Sequence, residues 1–317
     1  MYDNLILKLR NFDVPDIDFL SETAQYFDVK NENSFDGEIV LYGFLNDEFK
    51  VMAKRSGINL SGSLCKYYLG DNFQTLGRGD TKRAIEKLSD TLHLPIEKAT
   101  VSRLDVAQNF IVKQQLENYY NHFGKLKNGW RSPVTNDIGK IETIYYYQSN
   151  GLLIFYDKVK EQTVKRQPIP ELYQDRNVLR YEQRYTKRLP KAFNVERVTA
   201  SLIYGEKFYI DVIDKWKDNY FNIQKLNDIT FNFEAMRTKT DLYNLGVLAL
   251  VDMAGGELNF ISQMQEAQRN GILTRKQSFD IKQAVTSACK ERIGITAKND
   301  CILELDKKVV EAVKFYR

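Results

Sequence analysis

The chain has 317 residues, 43% of them hydrophobic, with a net charge of +4 and a pI near 8.7. That is enough apolar material for one large core or two modest ones, and no apolar run approaches the roughly 20 residues that span a bilayer. Only two histidines, His93 and His122, and three scattered cysteines, Cys65, Cys289 and Cys301, are present, which excludes a histidine-rich metal site, a HExxH protease, a CxxC zinc site and a disulfide framework.

Residues 1–10 alternate Leu5, Leu7 and Leu9 with Asn4, Lys8 and Arg10, the period of a strand. Residues 37–64 read as a β meander: Ile39–Tyr42, a turn at Asn46-Asp47, Phe49–Met52, then Gly57 before Ile58. A polar, glycine-containing stretch from Gly70 to Gly79 precedes Asp80, which reads as the N-cap of a helix carrying Ala84, Ile85, Leu88 and Leu92. His93 falls near the end of that helix. Val101–Val112 predicts a strand, Gln114–Phe123 a helix, and Lys125–Gly139, with Pro133, a loop. Ile141–Tyr147 and Leu152–Asp157 predict a hairpin through Gln148-Ser149-Asn150-Gly151. A basic loop with Pro168 and Pro170 leads to a strand at Val178–Tyr185.

From Pro190 the period turns helical, with helices near 194–204, 206–222, 240–253, 258–268, 274–292 and 305–316, and no fixed-period repeat is visible. Strands followed by helices indicate an α+β fold. The expectation is an antiparallel-sheet domain over residues 1–235, with its boundary inside 190–235, and a separate helical module over 236–317.

Three strands hold polar residues where chemistry can occur. In Val101–Phe110, alternation puts Leu104, Val106 and Phe110 on one face and Arg103, Asp105 and Asn109 on the other. In Val178–Tyr185, Leu179, Tyr181 and Tyr185 oppose Arg180, Glu182 and Arg184. A wet outer face with ion pairs explains either strand alone. Both together suggest a shared acidic site suited to Mg²⁺ or Mn²⁺, which bind a carboxylate or two plus waters and a phosphate. Leu152–Asp157 is apolar on both faces until Tyr156, so the strand should be central and end in a tyrosine with Lys158 two residues on. Such a tyrosine is either a buried, satisfied hydroxyl or a nucleophile, which needs activation because its free pKa is about 10. Gly77-Arg78-Gly79 before a helix is a weaker phosphate-site candidate.

Met1-Tyr2-Asp3-Asn4-Leu5-Ile6-Leu7, Ser63-Leu64-Cys65-Lys66 with Gly70-Asp71-Asn72, Ser102-Arg103-Leu104-Asp105, Leu153–Lys158 and Leu179–Arg184 occur in an order that resembles the filamentous-phage gene II/X replication initiators, over roughly residues 1–195. The resemblance implies an HUH-endonuclease-like Rep fold and a rolling-circle initiator that nicks and rejoins origin DNA through a 5′-phosphotyrosine. It makes Tyr156 the nucleophile, with Lys158 beside it. Asp105 and Glu182 become ligands of Mg²⁺ or Mn²⁺, with Glu142 or Glu161 as a third. Arg103, Arg180, Arg184 and Lys66 are expected to contact DNA. The His-hydrophobic-His motif of better-known rolling-circle enzymes is absent, so a carboxylate site is expected instead. The implied partners are origin DNA and a host helicase and polymerase, in the cytoplasm of a bacterial host with no membrane involvement. The alternatives are a plasmid-mobilising relaxase with the same chemistry and a non-catalytic DNA-binding regulator.

Overall fold

The computed structural model describes residues 1–317 except 36, 47–48, 227, 230–235, 291–295 and 298. Asp47 of the expected turn, the end of the expected helix at 274–292 and the domain boundary at 235 lie outside the described residues. The first part of the chain runs β1 (Tyr2–Arg10), α1 (Phe19–Thr23), β2 (Asp28–Phe35), β3 (Glu38–Leu45), β4 (Phe49–Lys54), β5 (Gly57–Ser63), α2 (Leu64–Leu69) and α3 (Arg78–Leu92). It continues with β6 (Thr100–Val112), α4 (Leu116–Asn121), β7 (Phe123–Leu126), β8 (Trp130–Thr135), β9 (Ile141–Gln148), β10 (Gly151–Asp157), α5 (Lys158–Val164) and β11 (Asn177–Tyr185). The remainder is α6 (Leu189–Ala192), α7 (Ala200–Ile203), α8 (Glu206–Phe221), β12 (Ile223–Lys225), β13 (Asp228–Ile229), α9 (Lys239–Met253), α10 (Glu257–Arg269), α11 (Arg275–Lys290), β14 (Thr296–Ala297) and α12 (Asp300–Tyr316).

One ten-stranded sheet, in the order β2-β3-β4-β5-β1-β6-β11-β10-β9-β8, dominates the described residues. Every pairing in it is antiparallel, so the α+β expectation holds. The order has a symmetry that the sequence does not display. β1 is followed by a meander, β2 to β5, whose last strand returns to pair with β1. β6 is followed by a second meander, β8 to β11, whose last strand returns to pair with β6. β1 and β6 pair with each other and join the two halves.

One face of the sheet carries the core. Tyr181 of β11 stacks between Phe155 and Trp216 of α8, at ring separations of 4.6 and 4.7 Å, and donates its hydroxyl to the Trp216 carbonyl at 3.0 Å. Tyr2 meets Tyr209 of α8 edge-on. A tightly packed aromatic such as Phe155 contributes about 3–5 kcal/mol by the cost of its truncation to alanine.

Residues 236–317 divide between two clusters. α9 and α11 bury Leu245, Leu248 and Ala288 in a small cluster of their own. α12 instead adds Cys301, Ile302, Leu305, Val309 and Val313 to the main core. Its side chains are tied there by Tyr220 to Asp306 at 2.8 Å and Tyr119 to Glu304 at 2.5 Å. The expected single helical module is thus refined: α12 belongs with the sheet, because its apolar stripe matches α4 and α8. No single helix among the described residues is long and apolar enough to cross a membrane.

Local differences have local causes. α3 begins at Arg78, so Asp80 sits in the first turn and accepts the Gly77 N–H at 3.0 Å rather than preceding the helix. Gly151 begins β10 with an ordinary backbone and is required for a different reason. A Cβ there would lie 1.8 Å from the Arg184 carbonyl oxygen.

Candidate active site

The opposite face of the second half is polar and largely closed. In the pairing register, Arg184 lies opposite Asp105, Arg180 opposite Asn109, and Tyr156 opposite Arg180. Directly opposed residues share a face, so β6, β11 and β10 bring these side chains together, as alternation along each strand predicts. Water does not reach most of them. Asp105, Arg180 and Glu182 are buried, Arg180 with only 1% of its surface exposed. The wet outer face allowed by the sequence is therefore replaced by a covered one. Part of the cover is Asn72 and Phe73, whose carbonyls accept from Asn109 Nδ2 at 3.1 and 2.9 Å. Phe73 packs in turn on Tyr173 at 4.7 Å.

Burial makes pairing obligatory for each charge. Arg180 is held by Asp3, by Glu182 at 3.5 Å, and by the Asn72 carbonyl and Asn109 Oδ1, each at 3.1 Å. Asp3 also accepts from Ser63 Oγ at 2.5 Å and Asn72 Nδ2 at 3.4 Å. Arg184 Nε lies 2.6 Å from Glu182 Oε1 and 3.8 Å from Asp105 Oδ2, bridging the two carboxylates. Arg103 closes on Asp105 through Nε at 2.9 Å and Nη2 at 2.6 Å.

The two acids titrate in opposite directions. Burial, with the charge of Glu182, pushes Asp105 up to about 7 in spite of its guanidinium partners. Burial also opposes ionisation of Glu182, but Arg180 and Arg184 hold it below the usual carboxylate range. The Tyr156 hydroxyl donates to Glu182 Oε2 at 3.2 Å. Burial raises the phenol well above its ordinary value, while Arg180 favours the phenolate. Tyr156 is thus a protonated phenol already bonded to an ionised base. It opens on a cavity of about 320 Å³ whose lining includes Tyr145, the cations Lys160, Lys165 and Arg184, and the carboxylates Glu142, Asp157 and Glu161, so the side chains that could meet a phosphate are themselves matched by acids.

Lys158 sits differently from its expected place. Strand alternation would put it beside the Tyr156 hydroxyl, but β10 stops at Asp157, whose side chain caps α5 by accepting from Lys160 N at 2.9 Å. Lys158 therefore starts a helix, buried, with its ammonium 2.6 Å from Glu161 and 5.4 Å from the centre of the Phe73 ring. Burial lowers its pKa to about 8. Arg180, expected to contact DNA, is buried, and its guanidinium pairs with Asp3 and Glu182. Lys66 reaches Gln167 beyond α5 at 2.9 Å. Glu161 pairs with Lys158 and Lys165, and Glu142 with Lys160, so neither joins the two core carboxylates.

Sequence patterning assigns no role to Asp3, Ser63 or Asn72. The available signal is an aspartate in phase with the apolar Leu5, Leu7 and Leu9 of β1, together with an arginine on a central strand that needs a buried partner.

Among the described residues no group of three or more His, Cys, Asp or Glu is arranged to hold a metal ion. The chemistry of Asp105 and Glu182 nevertheless fits a hard divalent cation, since Mg²⁺ commonly takes one or two carboxylates with waters and a substrate phosphate. In this structure the Arg184 guanidinium lies between the two carboxylates.

The family described as the N-terminal region of the replication-associated gene II-type phage protein matches residues 20–219, which spans α1 to α8 and includes every element of the site except β1 with Asp3. No curated protein matches the chain.

Proposed function

From the premise that the chain belongs to this gene II-type replication-associated family, we propose that it initiates rolling-circle replication by nicking origin DNA with Tyr156. The observation that supports this most is the Tyr156 hydroxyl, bonded to ionised Glu182 at the mouth of a cavity whose wall carries Arg184. A phenol that burial keeps protonated becomes a nucleophile only if a neighbour takes its proton as it attacks, and Glu182 Oε2 is placed to do so. The Tyr156 oxygen forms a bond to the scissile phosphorus, and the bond from phosphorus to the 3′-oxygen of the preceding nucleotide breaks. That oxygen takes a proton from solvent and leaves as a free 3′-hydroxyl that a polymerase can extend, and Glu182 returns the phenol's proton to solvent. The 5′-phosphate stays on Tyr156, and attack by a 3′-hydroxyl reverses the step and rejoins the strand.

Arg184, at the cavity wall, stabilises charge on the phosphate. Arg180, beneath it, stabilises the phenolate. Asp105 and Glu182 would hold Mg²⁺ or Mn²⁺, which would polarise the phosphate. Lys158 orders α5 through Glu161 rather than touching the phenol.

The test is incubation of the chain with supercoiled origin plasmid and with single-stranded origin oligonucleotide, followed by denaturing electrophoresis and mass spectrometry. Expected are nicked circles and a covalent adduct on the peptide containing Tyr156, both lost in Tyr156→Phe and both suppressed by chelator. Nicking without an adduct would replace this reading with a hydrolytic nuclease. Binding without nicking would leave a regulator. An adduct on Tyr145, Tyr146 or Tyr147 would move the nucleophile.

A further inference from the structure

Outward from Tyr156 the same face of the sheet turns aromatic. Tyr156 pairs with Thr143, and Tyr145 and Tyr147 follow at alternate positions of β9, on that face. Trp130 of the edge strand β8 lies directly opposite Tyr147. Tyr145 lines the Tyr156 cavity, and its ring lies 6.0 Å from that of Tyr147 with an interplanar angle of 15°. Tyr146, between them, points into the core and donates to the Gly124 carbonyl at 2.8 Å. Core packing therefore does not explain Tyr147 or Trp130, which are 49% and 72% exposed.

We infer that the unpaired strand leaves the Tyr156 cavity across β9 to the sheet edge, its bases stacked on Tyr145, Tyr147 and Trp130. This rests on the reading of that cavity as the place where DNA is cut. The rings are continuous with it, and its charged rim carries Arg184, Lys160 and Lys165, the two lysines paired with Glu142 and Glu161. Cations for phosphates beside flat rings for bases is the combination that single-stranded nucleic acid requires. An apolar protein partner would leave the charged rim unused.

The chain has two tryptophans, and Trp216 is fully buried, so Trp130 is a built-in reporter. The full chain carrying Tyr156→Phe, which isolates binding from cleavage, is titrated with a single-stranded thymidine oligomer and with an abasic oligomer of equal length. Expected is saturable quenching of tryptophan fluorescence by the thymidine oligomer only. Trp130→Ala and Tyr147→Ala should each weaken thymidine-oligomer binding about tenfold and leave abasic binding unchanged, while Trp130→Phe keeps most of the affinity. Unchanged affinity in both alanine variants overturns the inference, and so does a change in sedimentation in place of a change in DNA binding. Failure of the nickase reading is seen separately, as absence of a covalent adduct with Tyr156 intact.

Discussion

Placing β3 on β9, both eight residues long, carries the pairing of one half of the sheet onto the other. Lys54 then falls where Tyr156 stands, because Lys54 pairs with Val40 as Tyr156 pairs with Thr143. Following the ladders inward, Gly57 takes the place of Arg180, Asn59 of Glu182, Ser61 of Arg184 and Ile6 of Asp105. The return from β4 to β5 is the two residues Arg55 and Ser56, whereas the return from β10 to β11 runs from Lys158 to Arg176 and carries α5. The two halves thus share a strand order, and the candidate chemistry resides in five face positions and one inserted segment. A frame can be duplicated without its site, which is why the site and not the fold has to argue for function.

The comparison is tested most severely by Glu182→Gln against Asn59→Ala. Glu182 accepts from Tyr156 and pairs with two arginines, so the amide removes both the base and the countercharge. Nicking should fall by about 10²–10⁴, the usual range for a general base. Asn59, bonded to Arg10 Nη2 at 2.6 Å, should tolerate alanine with nicking changed less than twofold. Equal losses at both positions in a plasmid-nicking assay would show that the halves act alike.

Next in size is a pair of glycine replacements. A Cβ at Gly151 would meet the Arg184 carbonyl at 1.8 Å, and one at Gly57 would meet the Leu9 carbonyl at 2.5 Å. Either alanine variant should lose about 1–3 kcal/mol in urea unfolding, as overpacking does. Only Gly151→Ala shifts the strand that holds Arg184, so only it should slow nicking per folded molecule. Normal turnover by folded Gly151→Ala would mean that the position of Arg184 is not critical.

What the sequence reveals follows the same geometry. Interior strands such as β6, β10 and β11 show clean alternation or apolar runs, and alternation assigns their polar residues to the correct face. Of the strands in the ten-stranded sheet, the two that the pattern does not reveal, β2 and β8, are its two edges, and the short strands β7, β12, β13 and β14 outside it are not revealed either. Edge strands keep polar residues and tolerate proline, as Pro133 shows, so they resemble loops. Closure of the polar face is not legible, because Asn72 and Phe73 reach it from a loop 36 residues or more before the Asn109 that they bond. Lys158 is misplaced by alternation for a nearer reason: Asp157 is a helix N-cap, a signal overshadowed by the strand before it. After Pro190 the longer helices α8 to α11 are legible one by one, whereas the helix expected near 194–204 is instead the two short helices α6 and α7, with residues 193–199 between them outside any helix. That α12 returns to the main core is not legible, since periodicity shows which stripe is apolar but not what it meets.

The third prediction uses pH. Between the ordinary carboxylate value, about 3.9, and about 7, folded Asp105 keeps a proton that the unfolded chain gives up. Its contribution to stability is therefore largest at low pH and declines as pH rises through that window, by at most about 1.4 kcal/mol per unit. Glu182 works in the opposite sense. Its folded value is depressed, so its contribution is present above the ordinary glutamate value and lost as pH falls through the folded one. Asp105→Asn should remove the first trend and leave the second, as read by urea unfolding at stepped pH. If Asp105 must be ionised to act, wild-type nicking should rise about tenfold per unit up to about pH 7 and then level off. A rate flat from about pH 5 to 8 would release Asp105 from the reaction.

The smallest effect separates charge that holds the protein together from charge that holds DNA. Lys165 is exposed, pairs with Glu161 on α5 and lines the Tyr156 cavity. Exposed pairs contribute between nothing and about 1 kcal/mol, so Lys165→Ala should scarcely move the unfolding midpoint. Its effect should appear in the salt dependence of single-strand binding, where each phosphate contact adds about 0.7 to the slope of log affinity against log salt. Lys54 is the matched control. It occupies the position of Tyr156 in the other half, pairs with Glu38 at 3.2 Å and is partly exposed. Its neighbours there are Gly57 and Asn59, the latter bonded to Arg10. Lys54→Ala should leave the slope untouched, whereas Lys165→Ala should lower it by most of one contact. If both lysines lower it equally, DNA runs over the whole outer face of the sheet, and the difference between the halves lies in the reaction rather than in binding.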